Sequence, residues 1–96
     1  MSNFAPLQKW NESDKKYASR LAEFERKLEA GEAIMDSSGD MYTQKEGDTI
    51  IHLERVCGRF ELSTEQDGVV RCLGGIGKGG EGWGGLLEKA WKVINS

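Results

Sequence analysis

The chain has a single proline, Pro6, a single histidine, His52, and only two cysteines, Cys57 and Cys72. No apolar run approaches the roughly 18 residues that a membrane-crossing helix needs. The opening Met1-Ser2-Asn3-Phe4-Ala5-Pro6 has neither the basic start nor the apolar stretch of a secretory signal. The expected setting is therefore cytoplasmic, with no membrane partner. Fifteen apart and with no second pair, the cysteines form no zinc-ligand spacing, and buried free thiols are expected.

Excess positive charge is missing as well. The net charge is −3, and the 13 Lys and Arg are scattered among 16 Asp and Glu. A nucleic-acid binder concentrates basic residues on one face. Here the densest imbalance is acidic: Glu29, Glu32, Asp36, Asp40, Glu46 and Asp48, opposed only by Lys45. This pattern disfavours direct contact with nucleic acid or an anionic membrane and favours a partner protein with a basic surface, unless it is simply a solvated face.

Catalytic groupings are equally scarce. His52 and Cys57 are five apart, so one regular strand would point them to opposite faces. His52 could meet Cys72 only across strands. Asp36-Ser37-Ser38-Gly39-Asp40 has the composition of a turn and lacks the position-twelve Glu of a calcium loop. No metal or cofactor is expected, and no enzyme.

What the chain does have is 96 residues of ordinary globular composition, enough for one domain. Leu7, Trp10, Asp14, Tyr17, Leu21, Phe24 and Leu28 step by three and four, the spacing of one helix face. Pro6 suits a first helical turn. Alternatively, Asn11 or Ser13 caps a shorter helix beginning near Asp14. Gly31 suits the position after the helix, and Glu23 and Lys27 form an i,i+4 pair. The stripe packs on the chain's own core or forms the seam of a homodimer.

The middle reads as strands: Ala33–Asp36, Met41–Gln44, Thr49–Val56, Phe60–Thr64 and Val69–Leu73. Turns fall at residues 37–40 and 46–48, and Asp67-Gly68 carries a hairpin signal. Ile50, Leu53, Cys57 and Phe60 also fit a helical stripe, but β-branched residues and Gly58 favour strand, or strand with a bulge. At the end, Trp83, Leu87, Ala90, Trp91 and Ile94, with Leu86 alongside, mark a short helix. The expected class is α+β: an N-terminal helix, an antiparallel meander of three to four strands and a short C-terminal helix, both helices on one sheet face.

Glycine is the abundant residue. Eight of the chain's 13 glycines fall in residues 74–85, GGIGKGGEGWGG. Gly75–Gly80 fits G-x-G-x-x-G, but that fingerprint needs a βαβ unit of about 30 residues and an acidic residue about 20 further on. Only sixteen residues follow Gly80. A P-loop fails too, because Lys78 precedes Gly79 where Ser or Thr must stand. Lys78 with free N–H groups of Gly77 and Gly79 could hold an anion, against the charge of Glu81. The stretch otherwise reads as a join whose meaning depends on Trp83: a hinge if the indole packs inward, a contact surface if it is exposed.

The expected function is a non-enzymatic, acidic protein-interaction module, in one form a stoichiometric inhibitor or regulator of a larger, nucleic-acid-binding protein. Its expected contact residues are Gly77, Lys78, Gly79, Glu81 and Trp83, with an acidic surface of Glu32, Asp36, Asp40, Glu46 and Asp48. A small anion-binding domain and a structural homo-oligomer are the alternatives.

Overall fold

A computed structural model describes residues 2–36, 38–78 and 82–95, with Lys78 by its backbone alone. The N-terminal helix α1 spans Asp14–Glu29. It begins at the second of the two starts legible in the sequence. Ser13 is the N-cap, and its hydroxyl accepts from Lys16 N at 3.2 Å. That bond satisfies one of the first-turn N–H groups that have no partner inside a helix. Asp14 in the first turn and Arg26 and Lys27 in the last suit the helix dipole. At the far end, Gly31 N donates to Leu28 O at 3.1 Å and Glu32 N to Lys27 O at 2.9 Å. With Gly31 at φ 74°, this is a Schellman stop.

A five-stranded antiparallel sheet follows, in the order β1 (Ile34–Met35), β2 (Met41–Glu46), β3 (Thr49–Val56), β4 (Arg59–Gln66) and β5 (Val69–Lys78). It is a meander, as expected, but with five strands instead of three to four. The class, α+β, stands. The segment from Thr49 to Phe60 is extended, as preferred over helix, and Gly58 marks a turn between two strands instead of a bulge. Cys57 (φ 51°) and Gly58 (φ 78°) turn the chain back between β3 and β4, and Asp67 (φ 54°) and Gly68 (φ 79°) do the same between β4 and β5. Two consecutive positive φ values belong to a type I′ turn, whose twist matches that of the flanking strands. Asp tolerates this conformation; Cys57 occupies it at a cost in backbone strain.

The C-terminal helix α2 spans Trp83–Ile94. The two helices do not share a face of the sheet. Register places Tyr42, Leu53 and Leu62 opposite one another, with Arg55 opposite Phe60. Tyr42, Ile51, Leu53, Phe60 and Leu62 pack against Leu86 and Ala90 of α2. The alternate residues Ile34, Thr43, His52, Ser63 and Cys72 line up on the other side. There Ile50 packs against Phe24 and Leu28 of α1. Side chains alternate along a strand, so the two clusters lie on opposite faces. The expectation of both helices on one face is corrected: β3 buries side chains on both faces from Ile50 to Leu53, and each side needs its own cover. Among the described residues no helix is long and apolar enough to cross a membrane.

The glycine-rich stretch begins as strand, not as loop. β5 runs on to Lys78, and its pairing with β4 skips Leu73 and Ile76: Cys72 faces Ser63, Gly74 faces Leu62, Gly75 faces Glu61 and Gly77 faces Phe60. Each skipped residue is a bulge, and each packs on the α2 cluster. Gly74 takes φ 89°, a value that a residue with a Cβ adopts only under strain.

Two stability outcomes follow. Leu86 is fully buried, so Leu86→Ala is expected to cost about 2–5 kcal/mol in denaturant unfolding. Cys57→Gly removes the strained Cβ at φ 51° and is expected to stabilise by about 1 kcal/mol in the same measurement.

Candidate functional site

Of the contact residues that the sequence nominated in the glycine-rich stretch, Gly77, the Lys78 backbone and Trp83 lie among the described residues. Gly77 and the Lys78 backbone end β5, and Gly79 and Glu81 lie outside the described residues. Trp83 is half-buried. Its indole lies 5.3 Å from the Tyr42 ring and 5.0 Å, edge-on, from Phe60. It therefore anchors α2 to the sheet, the inward placement.

The acidic residues divide between the two ends of β2. Asp36 and Asp40 lie in the β1–β2 loop, and Glu46 and Asp48 at the β2–β3 turn, about 17 Å away for five strand steps. Several already have partners. Glu32 pairs with Arg26 at 3.0 Å and Asp40 with Arg55 at 3.4 Å. The Asp36 carboxylate accepts from Ser38 Oγ and from Asp40 N, each at 2.9 Å. Glu23 pairs with Arg26 at 2.7 Å, so the expected pairing with Lys27 is replaced by the guanidinium one position closer.

The two cysteines are exposed, not buried. Cys57 sits in a turn, and Cys72 faces Ser63 near the sheet edge. His52 and Cys72 do share a face, but Ser63 stands between them in register, so they are two strands apart, about 9–10 Å. His52 is committed to structure. It is buried, one ring nitrogen shares a 2.8 Å hydrogen bond with Thr43 Oγ1, and Phe4 stacks on the ring at 4.5 Å and 8°. Burial pushes its pKa below the ordinary value, with the nearby Glu54 carboxylate at 3.7 Å partly opposing. Among the described residues no three His, Cys, Asp or Glu side chains cluster as a metal site.

Phe4 belongs to an N-terminal arm laid across the α1 face of the sheet. Ser2 Oγ and Asn3 N donate to the buried Glu65 carboxylate at 3.2 and 2.7 Å, and Asn3 Nδ2 donates to Gly68 O at 3.3 Å. Beyond Pro6 the chain leaves the sheet and forms a tight turn, Lys9–Glu12, closed by Glu12 N donating to Lys9 O at 3.1 Å. Trp10 is at its tip.

That turn is held from several directions. Arg20 of α1 grips the Glu12 carboxylate with two bonds, of 2.6 and 2.7 Å, and donates to Leu7 O at 3.0 Å. Tyr17 OH donates to Pro6 O at 2.9 Å, and Gln8 Nε2 to Asp14 Oδ1 at 2.8 Å. The bidentate Arg20 contact lowers the Glu12 pKa to about 2. Yet the turn displays its apolar side chains to solvent: Trp10 is 97% exposed and Leu7 85%. Beside it runs a groove between the arm, α1 and the sheet. Phe4, Phe24, Ile34, Met35 and Met41 supply its apolar lining, and Leu7 and Lys9 form the lip nearest Trp10.

Sequence reasoning missed this site by placing Leu7 and Trp10 on the helical stripe. The signal against that was present. Asn11-Glu12-Ser13-Asp14 is a capping cluster, and a cap at Ser13 ejects both residues from the helix. Comparison with protein-family models, with curated proteins and with solved structures returned no match.

The buried histidine gives a pH signature. The unfolded chain binds a proton at His52 near pH 6.5, while the folded chain does so only at lower pH. Stability is therefore full above about pH 6.5 and declines as pH falls through the depressed folded value. Thermal melts across that window are expected to show the decline, and His52→Gln to flatten it.

Proposed function

We propose that this chain is a non-enzymatic protein-interaction module that binds through Leu7 and Trp10. The observation that carries the reading is a tryptophan at 97% exposure on a turn that the side chains of Gln8, Glu12, Asp14, Tyr17 and Arg20 and one backbone bond hold in one shape. Large apolar groups left in water are unfavourable, and a protein that orders them there rather than burying them has a use for the exposure. Tryptophan is the residue most enriched at binding hot spots, and a preorganised display reduces the entropy lost on association. A stoichiometric inhibitor or regulator needs such a surface and no catalytic group. The basic-partner version draws less support, because the acidic residues are divided and partly ion-paired.

Affinity co-purification with mass spectrometry tests the reading. Proteins retained by the unmodified chain are expected to be lost with Trp10→Ala, and with Leu7→Ala to a lesser degree, while the melting temperature stays within about 2 °C because neither side chain is packed. Retention of the same proteins by the folded Leu7→Ala/Trp10→Ala double variant would move the contact elsewhere.

A further inference from the structure

We infer that the occupant of this surface is a second copy of the chain. In a two-fold dimer, Leu7 and Trp10 of each copy would enter the groove of the other. The inference rests on the reading of Leu7 and Trp10 as a contact site and adds the identity of the partner.

Four observations converge. The first is shape. The groove is open and measures about 970 Å³, room for an indole and a leucine together. Apolar surface makes up most of its lining, and Met35 at its wall is itself 54% exposed. Methionine adapts readily to an inserted ring.

The second is charge. Lys9 precedes Trp10, and Lys15 and Lys16 follow in the first turn of α1 after Asp14; all three are exposed and make no side-chain ion pair among the described residues. The Glu12 charge beside them is offset by Arg20. The sheet side of the groove carries Asp36 and Glu54. The α1 side carries Arg20, Glu23 and Lys27, so the complementarity is local: the lysines near Trp10 meet Asp36 and Glu54 only where the knob lies against the sheet side.

The third is placement. Leu7 and Lys9 form the lip of the groove and also flank Trp10, so knob and receptor are neighbours on one surface. A two-fold axis beside that lip brings each knob over the other groove, the self-complementary arrangement of a cyclic dimer. The fourth is area. An exposed Trp and Leu bury on the order of 400 Å². The receiving walls bury a similar area, and the contact occurs twice, which gives about 1,600 Å², the size of a stable specific interface.

Sedimentation velocity from about 10 μM to 1 mM, a range that resolves micromolar dissociation constants, is expected to show twice the monomer mass. Trp10→Ala and Met35→Asp each remove one half of the contact at an exposed position. Each is expected to weaken the dimer at least about 30-fold, the conversion of a hot-spot loss, with thermal melts unchanged only at concentrations low enough for the unmodified chain to be monomeric. An equal mixture of the two variants retains one intact knob and one intact groove, and is expected to dimerise more tightly than either alone. Monomer throughout the range, a Trp10→Ala dimer of unchanged strength, or a mixture no tighter than its components would overturn the inference. A monomeric chain that still requires Trp10 to retain another protein would overturn the self-association alone and leave the interaction surface standing.

Discussion

Strand β3 is the constraint on which the rest depends. Ile51 and Leu53 are fully buried on one face, and Ile50 and His52 are buried on the other. A strand that buries side chains on both faces cannot lie with one face in water. One helix cannot cover both faces either. The meander therefore sits between α2 on the Ile51 side and α1 with the N-terminal arm on the Ile50 side. The order of elements along the chain follows from this: the first helix closes one face, the last closes the other, and short turns suffice between strands.

The two covers are built differently. The α2 side is apolar and aromatic, with Trp83 wedged between Tyr42 and Phe60 and Leu73 and Ile76 turned toward it by the two bulges. The α1 side is polar at its centre. His52, Thr43 and Glu65 are buried there and are satisfied by one another or by the arm. Buried polar groups have to be paired, so the arm is held by directional bonds as well as by the ring of Phe4. Those bonds fix the direction in which the chain leaves the sheet at Pro6, and hence where the Lys9–Glu12 turn stands.

Rigidity and exposure meet at that turn. The Glu12–Arg20 pair is bidentate and linked to the Leu7 carbonyl, a stronger arrangement than an isolated surface ion pair. It orders backbone whose side chains have nothing to pack on. Trp83, nominated by its glycine-rich surroundings, is used for the core. Trp10, which looked like a core position by spacing, is the one in water.

Much of the fold was legible in local chemistry. Ser13 as cap, Gly31 as stop, the Asp67-Gly68 turn and the alternation in Thr49–Val56 and Phe60–Thr64 are consequences of φ preferences and side-chain periodicity within a few residues. Cys57-Gly58 was not legible as a turn, because cysteine carries no preference for positive φ. The glycines at 74, 75 and 77 read as loop, because a bulge becomes visible only against the strand it pairs with. By itself the sequence determined the class, the helical and extended segments and the scarcity of catalytic groupings, all properties of neighbouring residues. Only the tertiary structure decided which face each helix covers, that Trp83 is packed and that Trp10 is displayed beside a groove, because these depend on contacts between residues far apart in the chain.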